Sequence, residues 1–146
     1  MSAVYPILWE PIIANGVYPH LMRRDVAVWE RWIKAHGQDF DAVAYDVAVG
    51  GVVPTAPDLE AKDILGWKYS TALKIDVMLR EHGAVWAVEV KTSTSVSAIG
   101  AAVSYQLVLA REEPGLLIAG GGIICETLQA DIEWIAEQLK LRTWVV

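Results

Sequence analysis

The sequence predicts an α/β fold, a mixed central sheet flanked by helices in the order αβββαβαβ. Three patterns carry that expectation. Apolar residues recur at helical spacing in three segments, and β-branched residues alternate in short runs between them. Gly and Pro punctuate the boundaries. The chain has 146 residues, 54% of them hydrophobic, with 7 Trp. That is one domain's length, with ample material for a buried core.

Residues 1–20 hold Pro6, Pro11, Pro19 and the pair Asn15-Gly16, which oppose a long helix. An extended N-terminal arm is expected there, followed by a single domain over 21–146. The arm's Tyr5, Ile7, Leu8, Trp9, Ile12 and Ile13 must pack either on the domain itself or on a partner, in a homo-oligomer or larger assembly.

Residues 21–36, "LMRRDVAVWERWIKAH", read as a helix. Met22, Val26, Trp29 and Ile33 lie at helical spacing, and Gly37 is a stop signal. "FDAVAYDVAVG" (40–50) alternates like a strand. A loop is expected from 50 to about 70, holding Pro54, Pro57 and several acids. "ALKIDVMLR" and "AVWAVEVKT" read as two strands around "EHGA". Residues 95–113 form a second helix, apolar almost all round and therefore expected to be buried, with Gly100, Ala101 and Ala102 allowing close approach. "GLLIAGGGIIC" is a strand whose glycines mark a bulge or tight strand-end turn. "LQADIEWIAEQLK" is an amphipathic helix with Ile132, Ile135, Ala136 and Leu139 on one stripe. "RTWVV" is a closing strand.

Charge and cysteine usage narrow the function classes. Net charge is −6, from 18 acidic and 12 basic residues, which opposes strong non-specific nucleic-acid binding but allows a small basic cleft on an acidic body. The single Cys125 makes no internal disulfide and suits a reducing compartment. No apolar run approaches the ~20 residues that span a bilayer, so no membrane association is expected. "MSAVYPILWEPII" lacks the basic region of a signal peptide. His20, His36 and His82 show no metal-ligand spacing, and Cys125 alone gives neither a zinc site nor a Cys–His nucleophile.

The most informative stretch is "KIDVMLREHGAVWAVEVK" (74–91). With His82-Gly83 as a hairpin turn, Glu81 pairs with Ala84, which puts Asp76 opposite Glu89 and Lys74 opposite Lys91. Strand alternation then places these four on one face, with Ile75, Val77, Val88 and Val90 on the other. Directly opposed side chains have Cβ atoms ~5 Å apart, where like charges repel. The carboxylate pair therefore calls for a cation, a shared proton or open solvent. Mg²⁺ is commonly held by one or two carboxylates with water and phosphate, and an ammonium at Lys91 would stand beside it. The competing reading is an exposed sheet face bearing ordinary ion pairs.

Asp76, twelve intervening residues, then Glu89-Val90-Lys91 on the next strand resembles the motif of the PD-(D/E)XK nuclease superfamily. The superfamily's core order, a helix, a three-stranded meander, a helix and a strand, resembles the order read over about 20–125. The compact, Trp-rich chain is also similar to small bacteriophage-encoded members. The resemblance implies a restriction-endonuclease-like core and a metal-dependent nuclease, expected to be an endonuclease hydrolysing phosphodiester bonds in DNA. It implies Asp76 and Glu89 as ligands of Mg²⁺ (or Mn²⁺), the Val90 carbonyl completing the site, and Lys91 as catalytic lysine. It further implies an acid from the first helix, for which Glu30 is the candidate, and a Gln or Tyr from the second, for which Gln106 and Tyr105 are candidates. Ile75 stands where the motif has Pro, and Ala110 stands where the RecB-like Gln-x-x-x-Tyr pattern would need Tyr.

Other readings of these residues remain open at this level. Glu30 is also placed to pair with Lys34 on the helix surface. Gln106 either faces the site or hydrogen-bonds in the core. Asp46 is a mid-strand acid that faces the site or lies on an edge. Arg23, Arg24, Arg31 and Lys34 make the first helix basic; with Lys74 they are candidates for phosphate contact or a solvated face. A bacterial or phage-infected cytoplasm, or a virion, is the expected location. The alternative function is a non-catalytic assembly or binding protein on the nuclease fold, such as a phage structural or DNA-packaging component.

Overall fold

The computed structural model describes residues 5–19 and 21–146. Its elements are α1 (Arg23–His36), β1 (Ala42–Val49), α2 (Ala61–Thr71), β2 (Leu73–Glu81), β3 (Ala84–Ser93), α3 (Val96–Glu112), β4 (Leu117–Thr127), α4 (Ala130–Gln138) and β5 (Arg142–Val145), with a short 3₁₀ turn at Gly37–Asp39. The strands form one mixed sheet in the order β1-β2-β3-β4-β5. The first three pair antiparallel, while β3, β4 and β5 pair parallel. Parallel neighbours need a crossover, which α3 and α4 supply.

Helices cover both faces. On one, Val28, Trp29 and Trp32 of α1 pack with Val43, Val77, Leu79, Val88, Val90 and Trp144. Trp29 and Trp32 stack at 5.0 Å, and Trp144 meets Trp32 edge-on at 5.9 Å, geometries that aromatic quadrupoles favour. On the other face, Leu109 of α3 packs on Ile75, Met78, Val85 and Ala87. Ala98, Ile99 and Ala102 of α3 meet Ile123 and Cys125 of β4 and Ile132 and Ala136 of α4.

The hairpin register is the expected one from Glu81↔Ala84 to Val77↔Val88, but the ladder stops there and the expected pairs Asp76↔Glu89 and Lys74↔Lys91 are not among its pairs. His82 (φ 50°) and Gly83 (φ 81°) both take left-handed backbone, and Glu81 pairs with Ala84. A two-residue turn of this type matches the twist of its strands. Four other expectations need correction. The segment from 50 to 70 is not a structureless loop, because α2 occupies its second half. No residue of α2 is buried, so the helix shows no apolar stripe from which periodicity would reveal it.

The buried face of α1 is Asp25, Val28, Trp29 and Trp32, whereas Met22 is exposed; the two indoles outweigh Val26 and Ile33 in setting the helix's rotation. Helix α3 is not buried all round either. Ala98, Ile99, Ala102 and Leu109 are, but Leu107 and Gly100 are exposed. Its close approach to the sheet falls at Ala102, because a Cβ on Gly121 would lie 2.6 Å from the Ala102 carbonyl oxygen. Finally, Ile75 sits with Met78 on the α3 side, not with Val77. Asp46, between the pairs Tyr45↔Val77 and Val47↔Ile75, has φ 48°, and this kink resets which way β1 and β2 face.

The N-terminal arm packs on its own domain. Glu10 and Val43 exchange backbone hydrogen bonds of 2.8 and 2.9 Å, so the arm caps the edge strand β1. Ile7 and Trp9 join the α3-side core and Ile12 the α1 side. The Tyr5 hydroxyl donates to the Leu65 carbonyl at 2.7 Å. Leu8 and Ile13 remain exposed. Residues 1–4 of the arm, and His20, lie outside the described residues. No helix among the described residues is long and apolar enough to cross a membrane.

Candidate metal and phosphate site

The site forms where β3 outruns β2. Their described pairing ends at Val77↔Val88, while β3 continues alongside β4 through Glu89↔Ile123 and Lys91↔Cys125. Beyond that last pair Asp76 Oδ2 accepts the Val90 N–H at 3.0 Å, so a carboxylate replaces the next ladder carbonyl. The strand ends are thus held apart by a side chain.

Glu89 is 5% exposed, and its Oε1 accepts from Lys91 Nζ at 3.1 Å. Glu89 Oε2 is buried and meets no donor at full hydrogen-bond geometry among the described residues, although the Tyr105 hydroxyl interacts with the Glu89 carboxylate. Burial, and then the Glu89 charge, push Asp76 up to about 7 against the opposing pull of the Val90 N–H and Lys91. Asp76 therefore keeps its proton up to near neutrality, or a cation takes the proton's place. For Lys91, burial acts to lower the pKa, but the charges of Glu89, Asp76 and Asp25 outweigh it and raise it. Lys91 stays an ammonium. Tyr105 of α3 faces the same acids: burial first, then the charges of Glu89 and Asp76, keep its hydroxyl protonated.

The structure brings together Asp76, Glu89, Val90, Lys91 and Tyr105. It places other candidates elsewhere. Gln106 points towards β4, its Oε1 3.5 Å from where a Cβ on Gly120 would stand. Glu30 accepts a 3.0 Å hydrogen bond from the Tyr18 hydroxyl, tying α1 to the arm. Lys74 leaves the expected face: its Nζ donates to the Tyr69 and Ala72 carbonyls and lies 4.2 Å from the Tyr69 ring centroid. The carbonyls at the end of α2 favour a cation, and Lys74, three residues past the helix, reaches back to two of them. Arg31 pairs with Glu126 at 3.5 Å on the surface, and Arg23 and Arg24 are exposed at the start of α1. Asp46 lies on the edge strand and accepts from the Tyr69 hydroxyl at 3.5 Å.

Asp25 is the functional candidate that sequence reasoning missed. It is 2% exposed, and its Oδ1 accepts both the Thr92 N–H at 3.0 Å and the Thr92 hydroxyl at 3.1 Å, bolting α1 to the end of β3 beside Lys91. A usable signal existed, since Asp25 precedes Val28, Trp29 and Trp32 by 3, 4 and 7 residues and so shares their buried stripe.

Among the described residues no group of three or more His, Cys, Asp or Glu side chains is placed to hold a metal ion. The donor set is two carboxylates, which fits a hard oxygen-seeking ion that keeps several waters and takes substrate oxygens. The buried Glu89 Oε2 and the raised Asp76 are observations of this chain that agree with such an ion. Cys125 is buried against the Trp144 carbonyl, and burial pushes its thiol up to about 11, so it is no nucleophile.

No protein-family model matches the chain, and neither the curated proteins nor the solved structures give a match. The reading of the site therefore stands on its own residues.

Proposed function

We propose that the protein is a metal-dependent nuclease with a restriction-endonuclease-like core, cleaving phosphodiester bonds in DNA. The observation that carries the reading is the Asp76–Glu89 pair, Glu89 buried and Asp76 half-buried, at a break in the ladder with Lys91 on Glu89. Asp76, Glu89 and the Val90 carbonyl would hold Mg²⁺ or Mn²⁺. Such an ion, when bound, polarises a phosphate oxygen and acidifies a water. The residues' own parts follow from their chemistry. Lys91, kept as an ammonium, orients a water and offsets charge developing on the phosphate. Tyr105, kept protonated, donates towards the acids and holds the ligands in place. Asp25 fixes the strand end that carries Lys91.

The test is cleavage of single-stranded and duplex DNA with Mg²⁺ or Mn²⁺. We expect Asp76→Ala and Lys91→Ala to lose activity by at least about a hundredfold, as is usual for removing one electrostatic partner of the transition state, with unfolding curves retained. Full activity in either folded variant would remove these residues from the chemistry.

A second reading, a binding or assembly protein on the same fold, has one observation in its favour. Helix α2 buries none of its residues and exposes Leu65, Trp67 and Tyr69, with Val52 and Val53 exposed before it. An apolar surface of that kind suits a partner. Partner binding that survives loss of Asp76 and Glu89, together with no cleavage, would decide for it.

A further inference from the structure

A recess of about 190 Å³ opens beside the carboxylate pair, lined by Arg24, Asp25, Lys91, Thr92 and Ser93. Lys91 is shared between the two places: its Nζ rests on Glu89 and its side chain walls the recess. The lining chemistry is that of an anion site. Two cationic side chains line it, and among the described residues the Arg24 guanidinium has no carboxylate partner and the Ser93 hydroxyl no hydrogen-bond partner. The wall also holds one acid, Asp25, whose Oδ1 accepts the Thr92 N–H and hydroxyl and whose charge, felt at Lys91, offsets part of the cationic field. That bond also fixes the wall, joining α1 to the end of β3. The volume equals that of ~6 waters, enough for a phosphate group with part of its hydration. Arg and Lys with a hydroxyl are a usual set for binding it.

We propose that this recess is a phosphate subsite, in which Arg24, Lys91 and Ser93 hold a phosphate next to the one being cleaved. That the phosphate is a substrate strand's rests on the nuclease reading; the recess's preference for a phosphate does not. A terminal phosphomonoester and a backbone diester would both supply the group. The first makes the protein a reader of strand ends, and the second makes it a grip on the strand interior.

The experiment is amide-resolved NMR titration of the full chain without divalent metal. The probes are inorganic phosphate, a short oligodeoxynucleotide with a 5′-phosphate, and the same oligonucleotide without it. We expect inorganic phosphate and at least one oligonucleotide to shift the amides of Arg24, Thr92 and Ser93. Arg24→Gln should weaken both by about tenfold, the usual worth of one charge-assisted hydrogen bond, and Arg24→Lys should recover part of the loss. A tenfold preference for the phosphorylated oligonucleotide identifies a strand-end monoester, and equal binding identifies a backbone diester. No shift at these amides, or shifts untouched by Arg24→Gln, would overturn the subsite. Arg24 is exposed, so neither substitution threatens the fold. Mg²⁺ titration reads the carboxylates separately: phosphate binding without Mg²⁺ binding keeps the subsite and loses the nuclease reading, and the reverse loses the subsite alone.

Discussion

Asp76 and Glu89 stand close together where the β2–β3 ladder ends, so that the Glu89 charge bears on the Asp76 proton. Asp76 is raised to about 7 in the folded chain, by burial first and the Glu89 charge second, against an ordinary value near ~3.9 when unfolded. The folded state therefore binds the proton more tightly and loses stability as pH rises from about 4 to about 7. The cost is fully present above that window and absent below it. Asp76→Asn, which keeps an acceptor for the Val90 N–H, removes this cost. Its melting temperature should exceed the wild type's at pH 8, by roughly 4 °C for each kcal/mol relieved, and the gap should close towards pH 4. Thermal unfolding at both pH values checks this, and a gap independent of pH would contradict it. The nearness of the two carboxylates was legible in the sequence because the turn at His82-Gly83 sets the register from Glu81↔Ala84 to Val77↔Val88, one step short of Asp76 and Glu89. Lys74 was not, because its partners are carbonyls of a helix the sequence did not reveal.

At the scale of elements, legibility followed burial. Strands β1, β2 and β3 bury much of their length and were readable as alternating runs. Helix α2 buries nothing, so it left no pattern. Helix α1 was readable as a helix but misread in rotation, and with the rotation went Asp25. Helix α3 shows how small residues decide contact. A Cβ on Gly121 would come within 2.6 Å of the Ala102 carbonyl oxygen, a backbone atom that cannot swing away, whereas one on Gly100 meets nothing within 4 Å. Gly121→Ala should therefore cost about 1–3 kcal/mol from overpacking. Gly100→Ala, on the exposed face of the same helix, should gain about 0.5–1 kcal/mol from helix propensity. Urea unfolding midpoints test both, and equal effects from the two substitutions would show that α3 does not meet β4 at Gly121.

The whole molecule is acidic, with net charge −6, yet cations gather at the open end of the β2–β3 hairpin. Sheet order explains the gathering. The end of β3 carries Lys91, and the start of α1, bonded there through Asp25, brings Arg24. On the proposed nuclease reading, acidic surface around a local cationic recess would limit non-specific adhesion to nucleic acid while leaving a place for one or two phosphates. The arm caps the free edge of β1, the strand that neighbours β2 in the sheet. The claim on which all of this turns is that Asp76 and Glu89 together take a divalent ion. The most direct measurement is calorimetric titration of Mg²⁺ and Mn²⁺ at pH 8 and low salt into the wild type and into Asp76→Ala/Glu89→Ala, each with and without DNA. Heat of binding in the wild type that vanishes in the double variant is the predicted result. No binding by the wild type even with DNA present, or equal binding by the variant, would contradict the account.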